Sequence, residues 1–158
     1  MSKWFLLNFL LLITVIWKVT EHYSFPNLKV HILLGLLGVL LFLYNWTRNA
    51  VFETIRNIPD RKVKIRLAKL SKRVVMVHRW TGNIVMAVIL LHGLMIISQY
   101  GFTIRSPKMV VGLMALVLMA IQVITGWVRL FKPTIRVRYI HLYNGMVIFF
   151  FVTLHILL

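Results

Sequence analysis

Four of the six histidines in this chain fall into two matched stretches. Residues 78–92 (HRWTGNIVMAVILLH) and 141–155 (HLYNGMVIFFFVTLH) each begin and end with histidine, and each has glycine four residues after the first histidine. Imidazole is a common ligand of haem iron and of other transition metals. Two copies of the pattern His-x3-Gly-x9-His therefore indicate a haem or metal site built from paired histidines.

The spacing determines which histidines can pair. Fourteen residues of α-helix rise about 21 Å and make about four turns. The two histidines of each stretch therefore share one helix face at two depths. If the two helices face each other and run parallel, His78 lies level with His141, and His92 lies level with His155.

The composition indicates an integral membrane protein. Of the 158 residues, 60% are hydrophobic and only three are acidic, which is too apolar for a soluble domain of this size. The first apolar stretch is not followed by the small-residue site of a cleaved signal peptide, so we interpret it as a retained span. The chain has no cysteine, which excludes disulfides, thiolate metal sites, iron–sulfur clusters and c-type haem attachment.

The apolar runs and the basic residues together predict the topology. Five runs could span a membrane as one all-α domain covering residues 1–158, at 4–20, 28–46, 74–99, 109–130 and 139–158. Nine basic residues lie in 47–73 and four in 129–138, which places these connections and the N-terminus in the cytoplasm and the C-terminus outside. The third and fifth spans are then parallel. The basic residues that give the net charge of +16 lie between apolar runs, so no nucleic-acid partner is expected.

Two facing imidazoles at each of two levels suit the axial positions of two b-type haems. The prediction is an all-α membrane bundle with two stacked haems b between the third and fifth spans. His78 and His141 would hold the inner haem iron, and His92 and His155 the outer one. Histidines that only pack helices, a zinc site and transition-metal transport are the alternatives. Zinc fits less well because the chain has no thiolates and few carboxylates.

Glycine and arginine residues near the histidines extend the predicted site. Gly82 and Gly145 would let a flat porphyrin edge pack on the helix backbone. Arg79 and Arg138 would lie at the inner membrane surface, where haem propionates need cationic partners. The same arginines also satisfy the positive-inside rule, so this role is one of two interpretations.

The other two histidines are expected near the outer surface. His22 falls in the first outer loop, and His31 lies at the outer end of the second span. Both are interpreted as interfacial polar residues, and binding of an outer acceptor or a metal ion is the alternative.

The basic segment 47–73 is predicted to be a cytoplasmic loop that contains an amphipathic helix. Asp60 is a candidate N-cap, and apolar residues follow it at helical spacing, at Val63, Leu67, Leu70 and Val74. A cationic helix of this type would lie on the anionic inner leaflet. The alternative is a docking face for a cytoplasmic electron donor.

The sequence resembles the ferric reductase-like transmembrane domain. The likeness covers roughly residues 28–158 and consists of paired histidines on the third and fifth spans with a ligand-free fourth span between them. The stretches 78–82 (HRWTG) and 138–141 (RYIH) are similar to the inner-haem regions of that family. NADPH oxidases and eukaryotic ferric reductases share this domain, and smaller bacterial haem proteins carry it alone. The resemblance implies one-electron transfer from an inner to an outer haem across the membrane, which we expect to be a prokaryotic plasma membrane.

The sequence departs from the family in lacking its sixth helix and any Gly-rich dinucleotide fingerprint. We therefore expect a stand-alone oxidoreductase without a flavin domain. Its electron donor would be a cytoplasmic flavoprotein or membrane quinol, and its electron acceptor would be extracytoplasmic. Lipid would surround the helices, and a partner membrane subunit is possible. One alternative is a haem-binding anchor subunit of a larger respiratory or redox complex, of the quinol-oxidising cytochrome b type. The other is a transition-metal transporter.

Overall fold

The computed structural model describes residues 3–22 and 28–158, apart from the side chains of His22, Leu70, Lys72 and Arg73. The interpretation of His22 and the place of Leu70 in the apolar stripe therefore lie outside the described side chains. All regular structure in the described residues is α-helical. The helices are α1 (Lys3–His22), α2 (Val30–Asn57), α3 (Arg61–Tyr100), α4 (Pro107–Phe131) and α5 (Ile135–Leu157). Each is long and apolar enough to cross a bilayer, which confirms a helical membrane protein with five candidate spans.

Polar side chains cap the N-termini of three of the helices. Asp60 accepts hydrogen bonds from the backbone N–H groups two and three residues later, so the predicted N-cap of α3 is confirmed. Ser106 and Thr134 cap α4 and α5 in the same way. Gly101 ends α3 at a φ of +70°, which a residue without a side chain adopts readily. The sequence therefore determines these helix ends locally.

The predicted loop 47–73 is helical instead. α2 and α3 extend through it and are joined by residues 58–60, which lie outside regular structure. Leu67 and Val74 of the apolar stripe line one pocket with Val51 of α2. The segment is rich in helix-forming residues, and packing between the two helices stabilises it beyond the apolar runs. The amphipathic helix is therefore the first part of the 40-residue α3, and this part of its apolar stripe packs on α2.

The bundle contains two closely packed helix pairs. α2 packs along α3, and α4 packs along α5. α1 contacts α2 and α5, and α3 also contacts α4. Within the described residues, α3 and α5 do not form a closely packed pair. Space between α3 and α5 is therefore available to side chains or to a ligand.

A buried apolar layer lies between the two levels of histidine. Val85 on α3 and Ile148 on α5 are 1% and 0% exposed, and each lies seven residues from both histidines of its helix. Phe42, Trp46 and Met119 belong to the same cluster. Seven residues of helix rise about 10 Å, so these apolar side chains fill the bundle midway between the two levels.

Candidate functional site

The four histidines on α3 and α5 come together in the predicted pairs. His78 and His141 form the first pair, with ring centres 6.4 Å apart and ring planes at 82°. His92 and His155 form the second pair, also with ring centres 6.4 Å apart and with ring planes at 88°. Pairing at two levels requires α3 and α5 to run parallel. The structure therefore has the two levels of paired imidazoles that the spacing predicted.

Backbone carbonyl groups orient the second pair. His92 Nδ1 lies 2.7 Å from the carbonyl oxygen of His31 on α2, and His155 Nδ1 lies 3.0 Å from that of Lys108 on α4. A carbonyl oxygen can only accept a hydrogen bond, so each Nδ1 carries the proton. Each Nε2 therefore keeps a free lone pair, as a metal-ligating histidine requires.

Polar side chains orient the first pair. His78 Nδ1 donates to Asn45 Oδ1 at 2.9 Å, and the Thr81 hydroxyl donates to the same oxygen at 2.7 Å. His141 Nδ1 lies 3.0 Å from Thr125 Oγ1, and this hydroxyl lies 2.8 Å from a carbonyl oxygen one turn earlier on α4. The Thr125 proton goes to that carbonyl, so its oxygen accepts from His141. All four histidines thus have a hydrogen-bond acceptor at Nδ1.

A glutamine on α4 contacts one of the four histidines at its other nitrogen. Gln122 Nε2 lies 3.2 Å from His141 Nε2. Gln122 Oε1 accepts from Asn144 Nδ2 at 2.8 Å, which turns the amide nitrogen toward His141. No sequence pattern connects these residues, because Gln122 and Asn144 lie on different helices.

Glycines on α2 and α4 make room for the imidazole rings. A Cβ at Gly112 would lie 2.8 Å from His155 Cε1, and one at Gly35 would lie 3.2 Å from His92 Cε1. A Cβ at Gly126 would lie 3.5 Å from His141 Cε1, an ordinary contact. We did not predict these glycines. Gly112 and Gly126 are fourteen residues apart, like the histidines of α5, and this shared period was the signal that could have identified them.

The two glycines predicted to contact a porphyrin have different surroundings. A Cβ at Gly82 would meet no atom within 4 Å, so this position borders open space. A Cβ at Gly145 would lie 3.2 Å from Gln122 Nε2 and 3.6 Å from Trp46 Cζ3. Gly145 therefore accommodates protein side chains, whereas no described atom packs against Gly82.

Arginines on two flanking helices also act on the first pair. Arg79 is half-buried and Arg138 is exposed. The positive charges that act on both His78 and His141 belong to Arg48 on α2 and Arg129 on α4. The chain has only three acidic residues to balance its cations, so an anionic group beside these two arginines would be stabilised.

His31 lies at the start of α2 and is buried against neighbouring helices. It is only 7% exposed, its ring meets the Tyr100 ring edge-on at 5.8 Å, and its backbone carbonyl orients His92. Within the described part of the chain its Nδ1 is buried without a hydrogen-bond partner. Its proximity to the second pair makes His31 part of the surroundings of that site.

The separation of the rings in each pair is close to that of two imidazoles bound to one metal ion. A ligating imidazole nitrogen lies about 2.0 Å from a first-row metal. The ring centre lies about 1.1 Å beyond that nitrogen, because the ring bonds are about 1.35 Å long. Two imidazoles on opposite sides of one metal therefore have ring centres about 6.2 Å apart, close to the observed 6.4 Å. Within residues 3–22 and 28–158, no group of three or more histidine or acidic side chains could hold a compact metal ion.

Comparisons of the chain with protein-family models, curated proteins and solved structures found no significant match. The likeness to the ferric reductase-like domain therefore stays a resemblance of motif and topology. The paired histidines and their hydrogen-bond partners are the features from which a function is inferred.

Proposed function

We propose that this protein is a di-haem b-type membrane cytochrome that passes electrons from the cytoplasmic side of the membrane to an extracytoplasmic acceptor. The observation that carries the proposal is the presence of two histidine pairs at 6.4 Å, each with both Nδ1 atoms next to an acceptor. Hydrogen bonds of this type fix the ring orientation of a ligating histidine and raise its basicity.

The chain supplies the two ligands that each haem b requires. His78 and His141 would hold one haem, and His92 and His155 the other. When bound, each haem supplies an iron centre that accepts and donates one electron. Arg48 and Arg129 supply positive charge beside the first pair, where propionate carboxylates would be stabilised. Gly82 supplies open space next to His78.

The distance between the pairs supports transfer across the membrane. The fourteen residues between the two histidines of each helix correspond to about 21 Å, a large part of a hydrocarbon core about 30 Å thick. Val85 and Ile148 fill the bundle between the pairs with apolar side chains. This layer keeps water and ions out of the bundle, while electrons can tunnel through packed side chains.

The basic end of the bundle, which carries the 58–60 turn, is proposed to face the cytoplasm because of its concentration of lysine and arginine. This orientation places the first pair on the inner side and the second pair on the outer side of the plasma membrane.

Two features at this end support the two classes of donor. The hairpin of α2 and α3 presents exposed cations that would attract an acidic flavoprotein, at Arg56, Arg61, Lys62, Arg66 and Lys69. An apolar pocket of about 190 Å³ lies in the same hairpin, between Val51, Leu67 and Val74, and would suit the apolar ring of a quinol. Val74 is one helical turn from His78, so either donor would be close to the first pair.

Sealed liposomes test the proposal. Haem-loaded protein is reconstituted with dithionite trapped inside, and the loss of external ferricyanide is measured by absorbance. The wild type should reduce ferricyanide many times faster than protein-free liposomes, and His92→Ala should fall to nearly the protein-free rate because the second site is lost. Thr14→Val, at an exposed hydroxyl of α1, is the control and should retain the wild-type rate. A wild type that holds two haems but stays at the protein-free rate would contradict transmembrane transfer.

A further inference from the structure

The Gln122 amide is held in one orientation by its neighbour on α5. Asn144 Nδ2 donates to Gln122 Oε1 at 2.8 Å and lies 2.9 Å from the Leu118 carbonyl oxygen, so both of its N–H groups have acceptors. Because Oε1 is the accepting end, the NH2 group of Gln122 is the end that lies 3.2 Å from His141 Nε2. The contact is therefore a hydrogen bond from Gln122 to the lone pair of His141.

This hydrogen bond distinguishes His141 from the other three histidines. His78, His92 and His155 have hydrogen bonds at Nδ1 in the described part of the chain. His141 has partners at both Nδ1 and Nε2. Its lone pair, the one that would bind iron, is already in use.

Glycine at position 145 permits this arrangement. A Cβ there would lie 3.2 Å from Gln122 Nε2, closer than most real contacts of a Cβ atom. A larger residue would push the amide away from its place between Asn144 and His141. Both ring nitrogens of His141 thus have hydrogen-bond partners from the chain itself.

We propose that Gln122 competes with haem iron for His141 Nε2 and makes the first site the weaker of the two haem sites. This inference rests on the proposed function. Binding at the first site would replace the Gln122–His141 hydrogen bond with a bond from His141 Nε2 to the iron and would release a water ligand of haemin, so no proton or electron is transferred. The net value of one hydrogen bond corresponds to roughly a threefold to tenfold change in affinity. The first site fills after the second and loses haem before it.

Haemin titration of haem-depleted protein in lipid nanodiscs tests the proposal. In the His92→Ala background only the first site remains, and in the His78→Ala background only the second. Gln122→Leu should tighten haem binding at the first site roughly threefold to tenfold and leave the second site unchanged. Gln99→Leu is the matched control, because Gln99 is the other glutamine and lies exposed at the end of α3; it should change neither affinity.

A second variant provides an independent test in case Gln122→Leu does not fold. Asn144→Leu frees the Gln122 oxygen and lets the amide turn away, so it should tighten the first site in the same direction by a smaller factor. An unchanged second-site affinity shows that each variant is folded. First-site affinity that is unchanged or weakened in Gln122→Leu overturns the inference and leaves the di-haem proposal intact. A wild type that binds no haem overturns both.

Discussion

The two histidine pairs have the same distance between ring centres, but different kinds of hydrogen-bond acceptor orient their rings. At the second pair, both Nδ1 atoms donate to backbone carbonyls, those of His31 and Lys108. At the first pair, the partners are the side chains of Asn45 and Thr125. A backbone acceptor is fixed by the fold, whereas a side-chain acceptor can be replaced by one substitution. Helix packing therefore fixes the ring orientation at the second site. At the first site the ring orientation depends on polar side chains that single substitutions can remove.

The glycine contacts show the same difference. Gly112 brings the α4 backbone close to His155, so that a Cβ would lie 2.8 Å from the ring. Gly126 occupies the equivalent place beside His141, but a Cβ there would lie at an ordinary 3.5 Å. The second pair is thus held closely between helix backbones. The first pair has more space, which the Gln122 amide partly fills.

The largest expected effect comes from filling the space at Gly112. Gly112→Ala should displace the His155 ring and break its hydrogen bond to Lys108, weakening haem binding at the second site about tenfold or more. The measurement is haem affinity in the His78→Ala background. Gly126→Ala, measured in the His92→Ala background, is the matched control and should change first-site affinity little. Equal effects of the two substitutions would contradict the difference between the sites.

A smaller effect is expected from removing the side-chain acceptor at the first pair. Asn45→Leu leaves His78 Nδ1 and the Thr81 hydroxyl without their shared acceptor, so ligand basicity falls. The first-site midpoint potential should rise, because a less basic ligand stabilises ferric iron less. Redox titration followed by absorbance measures the shift. Asn83→Leu, which removes the exposed partner of Trp127, should leave both potentials unchanged. A shift confined to the second site would show that the pairs are wrongly assigned.

Much of the fold and of the candidate site could be predicted from the periodicity and the charge distribution of the sequence. The fourteen-residue spacing and the distribution of basic residues predicted the two histidine pairs, and Asp60 predicted the start of α3. Contacts between helices could not be predicted in this way. The Nδ1 partners lie on α2 and α4, far in sequence from the histidines that they orient. The apolar stripe at Leu67 packs on α2, which only the hairpin geometry reveals.

The surroundings of the site were predicted less well for the same reason. Arg79 and Arg138 were chosen because they are close in sequence to His78 and His141, whereas the charges of Arg48 and Arg129 on the flanking helices, which also act on the first pair, could not be found from spacing. His31 was predicted at the interface because it is near a helix end, and spacing did not indicate that it packs against the Tyr100 ring and is buried in the bundle. Residues on the same helix as a ligand can be inferred from spacing. Residues supplied by neighbouring helices require the fold.

The most direct test of the account is the number of haems b per chain in purified protein, measured by the pyridine haemochrome spectrum. We expect two haems per wild-type chain, about one in His78→Ala or His155→Ala, and none in the variant that combines these two substitutions. Colourless wild-type protein from haem-sufficient cells would contradict the central claim. So would retention of one haem in the combined variant, because His78 and His155 would then serve the same site.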